Sequence, residues 1–437
     1  MSGDNCFEIL NKIFKAKNPE SIENIKGYNI KYGNIVGENN NIIDEVLVSY
    51  FKAPKSYTTE NMCEINTHGG IVVLRKILDL CLKNGADMAE PGEFTKRAFL
   101  NGRIDLLQAE SVIDIIHAKS EREAKNSINQ LEGHLSKKIN SIKKKIMDVM
   151  VNVEVAIDYP EYDEGDATND ELLDMFSDVQ KDLELLEKSF DSGKIIKEGI
   201  KTAIIGRPNA GKSSLLNAIL KEERAIVTDI EGTTRDTIEE FVNINGIPLK
   251  LVDTAGIRET ENEVERIGVV KSKKIASDAD LIIAIFDSSK DLTDEDKEIL
   301  EIIKNKKVII VLNKIDLEAK IDENNELLKN TSENIVKISA LNETGIEEIY
   351  EKINEMFNLN EINLDNETVI TNLRHKNLIT KAINNVVKAR ETLENGMPTD
   401  VIAIFIKDIL EALSEITGEE VTENIINEIF ARFCLGK

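Results

Sequence analysis

The sequence predicts an α/β domain with a mixed, mostly parallel sheet, inserted in an all-α helical bundle and preceded by a smaller α/β domain. Three observations predict it. Near the middle of the chain a stretch that reads as a short buried strand runs into a glycine-rich turn and then a helix. Apolar stripes at helical spacing flank that region on both sides. The N-terminal residues instead mix strand patterns with turns marked by Gly and Pro.

The chain has 437 residues, enough for more than one sizeable core. Its formal net charge is −25 and its pI is near 4.8, which disfavours gripping nucleic acid by bulk electrostatics. Any RNA contact then needs a local basic patch or a basic partner. Lys137-Lys138 with Lys143-Lys144-Lys145 is the candidate patch, and a solvated helix face is its plainer reading. The cysteines Cys6, Cys63, Cys81 and Cys434 form no C-x-x-C pair, which argues against a zinc knuckle and for a reducing compartment. No signal pattern opens the chain. The longest apolar runs, Leu281 to Phe286 and Val401 to Ile406, are too short to span a bilayer, so a cytoplasmic protein without a membrane contact is expected.

Taken in order, Ile42 to Phe51 has strand character, and Met62-Cys63-Glu64-Ile65 leads into a tight turn at Thr67-His68-Gly69-Gly70. By itself His68 reads as a turn residue bonding its own backbone. A helix follows, with Val73, Leu74, Ile77, Leu78, Cys81 and Leu82 at helical spacing, and Pro91-Gly92-Glu93-Phe94-Thr95 is another turn. The pattern is then helical. Ile139, Ile142, Ile146, Val149, Met150 and Val153 share one face, as do Phe176, Val179, Leu183, Leu186 and Phe190. Tyr159 to Asp166 between them reads as an acidic loop. Past the central domain, Asn372 to Leu393 is helical, Asp400 to Thr417 is nearly apolar all round and reads as a buried helix, and Val421 to Phe433 closes the pattern. Linkers are expected near Ser192-Gly193 and Asn360. The expected boundaries are 1–103, 104–198, 199–360 and 361–437.

Chemistry concentrates in the third segment. Ile200 to Ile205 is a buried strand, and Gly206-Arg207-Pro208-Asn209-Ala210-Gly211-Lys212-Ser213 fits G-x-x-x-x-G-K-[S/T] at every constrained position, with a helix from Ser213 to Leu220. Phosphates need this arrangement because successive backbone N–H groups point into one concavity backed by a helix start. Lys212 reaches β/γ-phosphates there, and the Ser213 hydroxyl ligates Mg²⁺. Gly232-Thr233-Thr234-Arg235-Asp236 offers a hydroxyl that senses the γ-phosphate through Mg²⁺, with the choice between the two threonines open. Leu249 to Val252 is a strand ending in Asp253-Thr254-Ala255-Gly256. Its Asp can hold Mg²⁺ through water, and its Gly N–H can meet the γ-phosphate. Val308 to Leu312 is an apolar strand ending in Asn313-Lys314-Ile315-Asp316, whose carboxylate can accept from N1–H and N2–H₂ of guanine; adenine lacks that pair. Ser339-Ala340, after the strand Asn334 to Ile338, can reach the guanine oxygen through backbone N–H. In this order the five motifs point to GTP binding and hydrolysis. Ile257 stands where many switch GTPases carry a water-orienting Gln, so another group must position the water. Asn209 has two readings: a ligand for a monovalent cation beside the phosphates, or a residue that tolerates a tight turn.

These stretches resemble those of the tRNA modification GTPases of the MnmE type. The resemblance rests on Thr67-His68-Gly69-Gly70, on the run from Pro91 to Leu106, on the Asn209-containing phosphate loop, on Ile226 to Asp236, on Glu263-Val264-Glu265-Arg266-Ile267-Gly268 and on the terminal Phe433-Cys434-Leu435-Gly436-Lys437. It covers nearly the whole chain. It implies a P-loop GTPase domain inserted in the helical bundle, preceded by a small folate-binding-like α/β domain through which the protein forms a homodimer. It also implies an FAD-containing partner protein in a heterotetramer, a tRNA whose wobble uridine is modified at C5, and a tetrahydrofolate derivative (5-formyl or 5,10-methylene) as one-carbon donor. Carried over residue by residue, Asn209 matches a K⁺ ligand, and Thr228, Ile230 and Thr233 match the loop that completes the K⁺ shell. Ser213 and Thr234 match the Mg²⁺ ligands, and Glu265 the acid that orients the attacking water. Asn209, Ala210, Gly211, Lys212, Ser213 and Ser214 match nucleotide-contacting positions. So do Asp229, Glu231 and Gly232, then Asp253, Thr254, Ala255 and Gly256, then Asn313, Lys314 and Asp316, then Ser339, Ala340 and Leu341. Glu64, Arg103 and Lys437 match folate-contacting positions. Cys434 matches the terminal Cys near that site, and a small buried hydrophobe is its alternative reading.

One departure stands out. The family begins with a strand, a Gly-rich turn and an Arg-Ile-Ser-Gly stretch, whereas this sequence starts at Met1-Ser2-Gly3. An unpaired edge in the N-terminal sheet, weaker folate binding and weaker dimerisation are therefore expected, with GTP hydrolysis retained. Arg103 stands where Lys is usual and keeps the charge. Two other classes compete: a ribosome-assembly GTPase, which would carry a basic RNA-binding module that the sequence lacks, and a GTP-gated scaffold without catalysis, against which Glu265 and Asn209 argue.

Overall fold

The computed structural model describes residues 1–18, 27–37, 40–158, 169–222, 240–244, 246–252, 276–359, 369–434 and 436. The chain divides into two compact units. One comprises Met1–Ile113, Gln130–Val179 and Lys381–Lys437, and the other Asp114–Asn129 and Gln180–Thr380.

The first unit opens on helix α1 (Cys6–Ile13) and strands β1 (Phe14–Ala16), β2 (Tyr28–Val36), β3 (Ile42–Phe51) and β4 (Met62–Asn66). They form an antiparallel sheet in the order β1-β2-β3-β4, followed by helix α2 (Ile71–Lys83). Side chains alternate across the pleat. Val46, Val48 and Tyr50 of β3 pack with Leu10 and Ile13 of α1 and Ile77 and Leu80 of α2. The opposite face leaves Tyr28, Ile30, Tyr32 and Leu47 exposed. Beside β4, Met1 and Cys63 exchange backbone bonds of 2.8 and 3.0 Å and Ser2 bridges Met62. Beyond Cys63 no further strand lies along that edge among the described residues.

Helices α3 (Glu93–Leu100) and α4 (Leu106–His117) follow, then α5 (Glu121–Leu131) and α6 (His134–Asp158). The expected turn at Pro91-Gly92 is present, but it is the start of α3, with Gly92 as its N-cap. Helix α7 (Asn169–Glu198) runs unbroken through Ser192-Gly193, where a linker was expected. Gly193 serves packing instead: a Cβ there would lie 2.1 Å from the Ile370 carbonyl oxygen. Asn360 and Tyr159 to Asp166, the other expected linker and loop, lie outside the described residues.

The second unit holds strands β5 (Ile200–Ile205), β6 (Glu240–Ile244), β7 (Ile247–Leu251), β8 (Leu281–Asp287), β9 (Val308–Asn313) and β10 (Ile335–Ile338). Among them run helices α8 (Lys212–Glu222), α9 (Asp294–Ile303), α10 (Glu326–Lys329) and α11 (Ile346–Met356). The sheet order is β10-β9-β8-β5-β7-β6, parallel throughout except that β6 runs antiparallel to β7. Continuous apolar strands suit a sheet covered on both faces. Ile204, Ile283, Ile285, Ile309 and Val311 pack against Leu215 and Ile219 of α8 and Ile349 and Ile353 of α11. Their neighbours in the pleat, Ile205, Ile282, Phe286, Ile310 and Leu312, pack against Ile299, Leu300 and Ile303 of α9. Connections leave β5 and β8 toward opposite flanks, so the strand order reverses at β5, the point at whose carboxyl end open α/β sheets bind ligands.

The chain then continues as α12 (Leu373–Glu394), α13 (Thr399–Thr417) and α14 (Glu423–Phe430). Helix α13 packs against α6, from the other side of the nucleotide-binding segment in sequence, so the α/β domain is inserted in the helical part. The two faces read from sequence, on α6 and α7, are buried as expected. Helix α13 departs from the expectation of burial all round. Ile402, Ile406, Ile409, Leu413 and Ile416 are buried, but Ile404 is 59 % exposed and Lys407 and Glu411 face solvent. In the basic run of α6, Lys143 is drawn onto Glu419 at 2.6 Å.

Helix α5 carries a titratable group with a measurable consequence. Its Glu123 accepts from the Lys119 amide at 2.6 Å while the Glu123 amide donates to Ser120 Oγ, a reciprocal N-terminal cap. Burial pushes the Glu123 carboxyl up to about 7; the Lys119 amide and charge offset part of the rise, Asp114 adds to it, and Lys197 offsets it further. The folded chain therefore holds a proton between pH 4.5 and about 7 that the unfolded chain releases, and stability falls as pH rises through that window. Glu123→Gln keeps the acceptor and removes the charge. Its thermal midpoint should match the parent's near pH 5 and exceed it by about 2–4 °C near pH 8. An equal difference at both pH values would refute this.

Candidate nucleotide site

The site is built where β5, β8 and β9 end. Strand β5 closes at Ile205, and the loop Gly206–Gly211 turns into α8 at Lys212. Gly211 has φ +107°, and a Cβ there would stand 2.0 Å from Asn313 Nδ2, so only glycine admits the loop at that point. Asn209 sits exposed at the loop tip with φ +61°, a left-handed conformation that Asn tolerates. Lys212 folds back over the loop, its Nζ donating to the Gly206 and Arg207 carbonyls at 2.7 and 2.8 Å. Burial lowers its pKa. The loop carbonyls therefore hold a partly desolvated cation where phosphate oxygens would attract it. Ser213 and Ser214 are exposed in the first turn of α8.

Asn313 is the bridge of the site. Its Nδ2 donates to the Ala210 carbonyl at 2.8 Å, and its Oδ1 accepts from the Ala340 amide at 3.0 Å. One buried side chain thus joins the phosphate loop to the Ser339-Ala340 loop. The Ser339 hydroxyl donates to Asp316 Oδ1 at 2.6 Å, orienting a carboxylate that is otherwise open to solvent. Lys314, at φ +68°, sends Nζ to Asp287 Oδ2 at 2.7 Å. Burial alone would raise the Asp287 carboxyl, but Lys314 and the hydroxyl and amide of Ser289 hold it below the usual carboxylate range. Leu341, 80 % exposed, follows Ala340 at the rim. Asn313, Lys314, Asp316, Ser339 and Ala340 are thus gathered at one end of the sheet with the phosphate loop, as the order of motifs implied.

Asp287 was not read from sequence as a site residue. Its signal was there: it ends the apolar run of β8, just as Asn313 ends that of β9. Thr228, Asp229, Ile230, Glu231, Gly232, Thr233 and Thr234 lie outside the described residues, as do Asp253, Thr254, Ala255, Gly256, Glu265 and Lys437. Among the described residues no group of three or more His, Cys, Asp or Glu side chains could hold a metal ion. Ser213, the described residue matched to a Mg²⁺ ligand, offers an exposed hydroxyl, the kind of oxygen donor such a cation takes.

The residues matched to folate contacts lie in the first unit. Glu64 is on β4 with its side chain exposed. Arg103 stacks its guanidinium on the Tyr57 ring, 4.7 Å from the centroid, and donates to the Tyr57 carbonyl at 2.9 Å. Cys434 is exposed, which overturns the alternative reading of it as a buried hydrophobe, and its carbonyl accepts from the Gly92 amide at 3.4 Å. His68 is the turn residue expected, its carbonyl accepting from the Gly70 amide at 2.8 Å, and it also bonds Asp44: its amide and Nδ1 lie 2.9 and 2.7 Å from the Asp44 carboxylate. A carboxylate twenty-four residues away was not visible in local spacing.

Two family models between them match nearly the whole chain. Residues 1–103 match the family described as GTP-binding protein TrmE N-terminus, and residues 106–434 match the MnmE helical domain. The tRNA modification GTPase MnmE of Clostridioides difficile (strain 630) is 50 % identical over 437 residues, covering 100 % of this chain and 95 % of the relative. That of Acetivibrio thermocellus is 48 % identical over 440 residues, with the same coverage. Among solved structures, the G domain of the T. maritima FeoB iron transporter is 30 % identical over 36 % of this chain, at a TM-score of 0.27 that carries no structural weight. Identity at this level over the whole chain leaves one assignment: the protein is a member of the MnmE family of tRNA modification GTPases.

Proposed function

We propose that this chain hydrolyses GTP in a K⁺-dependent manner to drive modification of tRNA, adding a (carboxymethyl)aminomethyl group to C5 of the wobble uridine. The observation that carries the reading is the joined site: Asn313 ties the phosphate loop of Lys212 to the Ser339 loop, and Ser339 orients Asp316 for a guanine edge. In this reading Asp316 accepts from guanine N1–H and N2–H₂, and Lys212 leaves the Gly206 and Arg207 carbonyls for the β/γ-phosphates. Ser213 and Thr234 hold Mg²⁺, which neutralises phosphate charge when bound. Asn209, Thr228, Ile230 and Thr233 hold K⁺. Glu265 orients the attacking water in place of the missing Gln.

The remaining parts follow the same reading. The segments 1–103, 104–198, 199–360 and 361–437 are domains, the first binding a tetrahydrofolate derivative with Glu64, Arg103 and Lys437. A homodimer forms through the first domain, whose sheet presents the exposed Tyr28, Ile30, Tyr32 and Leu47. An FAD-containing protein completes a cytoplasmic heterotetramer. Among the described residues no helix is long and apolar enough to cross a membrane.

Mass spectrometry of tRNA nucleosides tests the whole reading. A strain lacking its own family member, complemented with this chain, should regain the C5-modified wobble uridine. The purified protein should turn over GTP about a hundred-fold faster in KCl than in NaCl. Absence of the modified nucleoside, with or without an added N-terminal segment, overturns the tRNA reading; equal turnover in the two salts overturns the K⁺ reading.

A further inference from the structure

Arg207, the second residue of the phosphate loop, reaches a carboxylate on another element. Its Nε stands 2.7 Å from Asp296 Oδ1, the two side chains being 20 % and 3 % exposed. The contact is an ion pair rather than an aligned hydrogen bond, since the Nε–H has no hydrogen-bond acceptor in line. Asp296 is itself fixed. Its other oxygen, Oδ2, accepts from both the amide and the hydroxyl of Thr293, each at 2.9 Å, in the capping box that starts α9. Helix α9 is anchored in turn by Ile299, Leu300 and Ile303 in the core beneath the sheet.

The main chain of Arg207 is equally committed. Its carbonyl accepts from the Ala210 amide at 3.3 Å, closing the turn of the loop, and from Lys212 Nζ at 2.8 Å. One residue thus carries the turn and the lysine on its backbone and an anchor on its side chain. We propose that the Arg207–Asp296 ion pair is a positioning tether that keeps the phosphate loop in its nucleotide-ready shape when no nucleotide is bound. The proposal deepens, and rests on, the assignment of this loop to GTP.

The physical argument is preorganisation. A glycine-rich loop has many conformations of similar energy, and binding would otherwise bear the cost of selecting one. A buried carboxylate that is already hydrogen-bonded on one oxygen is a stiff anchor, and a charged partner cannot leave it without desolvated charge remaining behind. The tether selects the loop shape before the ligand arrives. Its removal should therefore weaken nucleotide binding far more than it slows the bound complex.

The test uses the full chain with Asp296→Asn, Arg207→Gln and Arg207→Lys. Asparagine still accepts from Thr293 and so keeps the cap while losing the charge. GDP affinity is read by titration, KM and kcat by GTP turnover, and the nucleotide-free thermal midpoint by calorimetry. Asp296→Asn and Arg207→Gln should weaken GDP binding and raise KM about ten-fold each, with kcat falling less than about three-fold. Arg207→Lys should recover most of the loss, which a merely structural role would not require. Parental KM and GDP affinity in both charge-removing variants overturn the tether, as does a loss in Arg207→Lys equal to that in Arg207→Gln. A parent protein that turns over no GTP overturns the GTPase reading instead, and the GDP titration then still reports on the tether; a parent that binds no GDP overturns both.

Discussion

Asp316→Asn should turn a guanine-selective protein into a xanthine-selective one. The Asp316 carboxylate has one oxygen engaged by the Ser339 hydroxyl at 2.6 Å, and that bond decides how an amide would sit in its place. The Asn oxygen would keep the Ser339 bond and still accept from the base N1–H. The Asn NH₂ would face the 2-position, where guanine presents an amino group and xanthine a carbonyl. Two donors facing each other across a partly desolvated contact are rejected strongly, because neither regains what it loses from water. Sites that read a hydrogen-bonding group discriminate by about 10⁴–10⁵. KM for GTP should rise by about 10³-fold, XTP should become the better substrate, and ATP should remain poor in both proteins. Turnover of the three nucleotides measured side by side decides it, and a variant that keeps the parent's preference for GTP over XTP would remove Asp316 from the base-reading role.

Lys212→Ala should abolish turnover without harming the fold. The ammonium donates to the Gly206 and Arg207 carbonyls, and burial lowers its pKa. A desolvated cation held only by neutral carbonyls adds little to stability. Against phosphate the same ammonium meets full negative charge that grows on the leaving oxygens, and loss of one such donor costs about 10²–10³ in rate. The expected result is a fall of at least about a hundred-fold in phosphate release at saturating GTP, with a nucleotide-free thermal midpoint no lower than the parent's. Turnover within a few-fold of the parent would assign the loop a binding role only. A collapse of the thermal midpoint would mean that Lys212 is structural.

The phosphate loop, the Asn313–Asp316 turn and Ser339-Ala340 were legible in sequence because each is a local pattern at the end of an apolar strand. Strands β5, β8 and β9 lie between covering helices; β8 and β9 are apolar up to their last residue, and β5 is apolar apart from Lys201 and Thr202. The amphipathic faces of α6 and α7 were legible for the same reason, since a period of three and four in one segment needs no knowledge of its partner. Strand β2 escaped because its exposed face is the apolar one. Tyr28, Ile30 and Tyr32 point to solvent, so the usual sign of a buried face is inverted.

Sequence alone therefore determined the fold class, the insertion of an α/β domain in a helical region and the motifs that end its strands. Each of these depends on contacts within a few residues or on a period along one segment. Only the tertiary structure decided which side chains hold those residues in place. Asp287 on Lys314, Asp296 on Arg207, Asp44 on His68 and Asn313 between two loops are pairings across long stretches of chain. An acid that anchors a loop and an acid that faces water look alike in sequence. What separates them is burial and a partner at hydrogen-bond distance, and both arise only when the sheet has closed and its crossovers have brought the strand ends together.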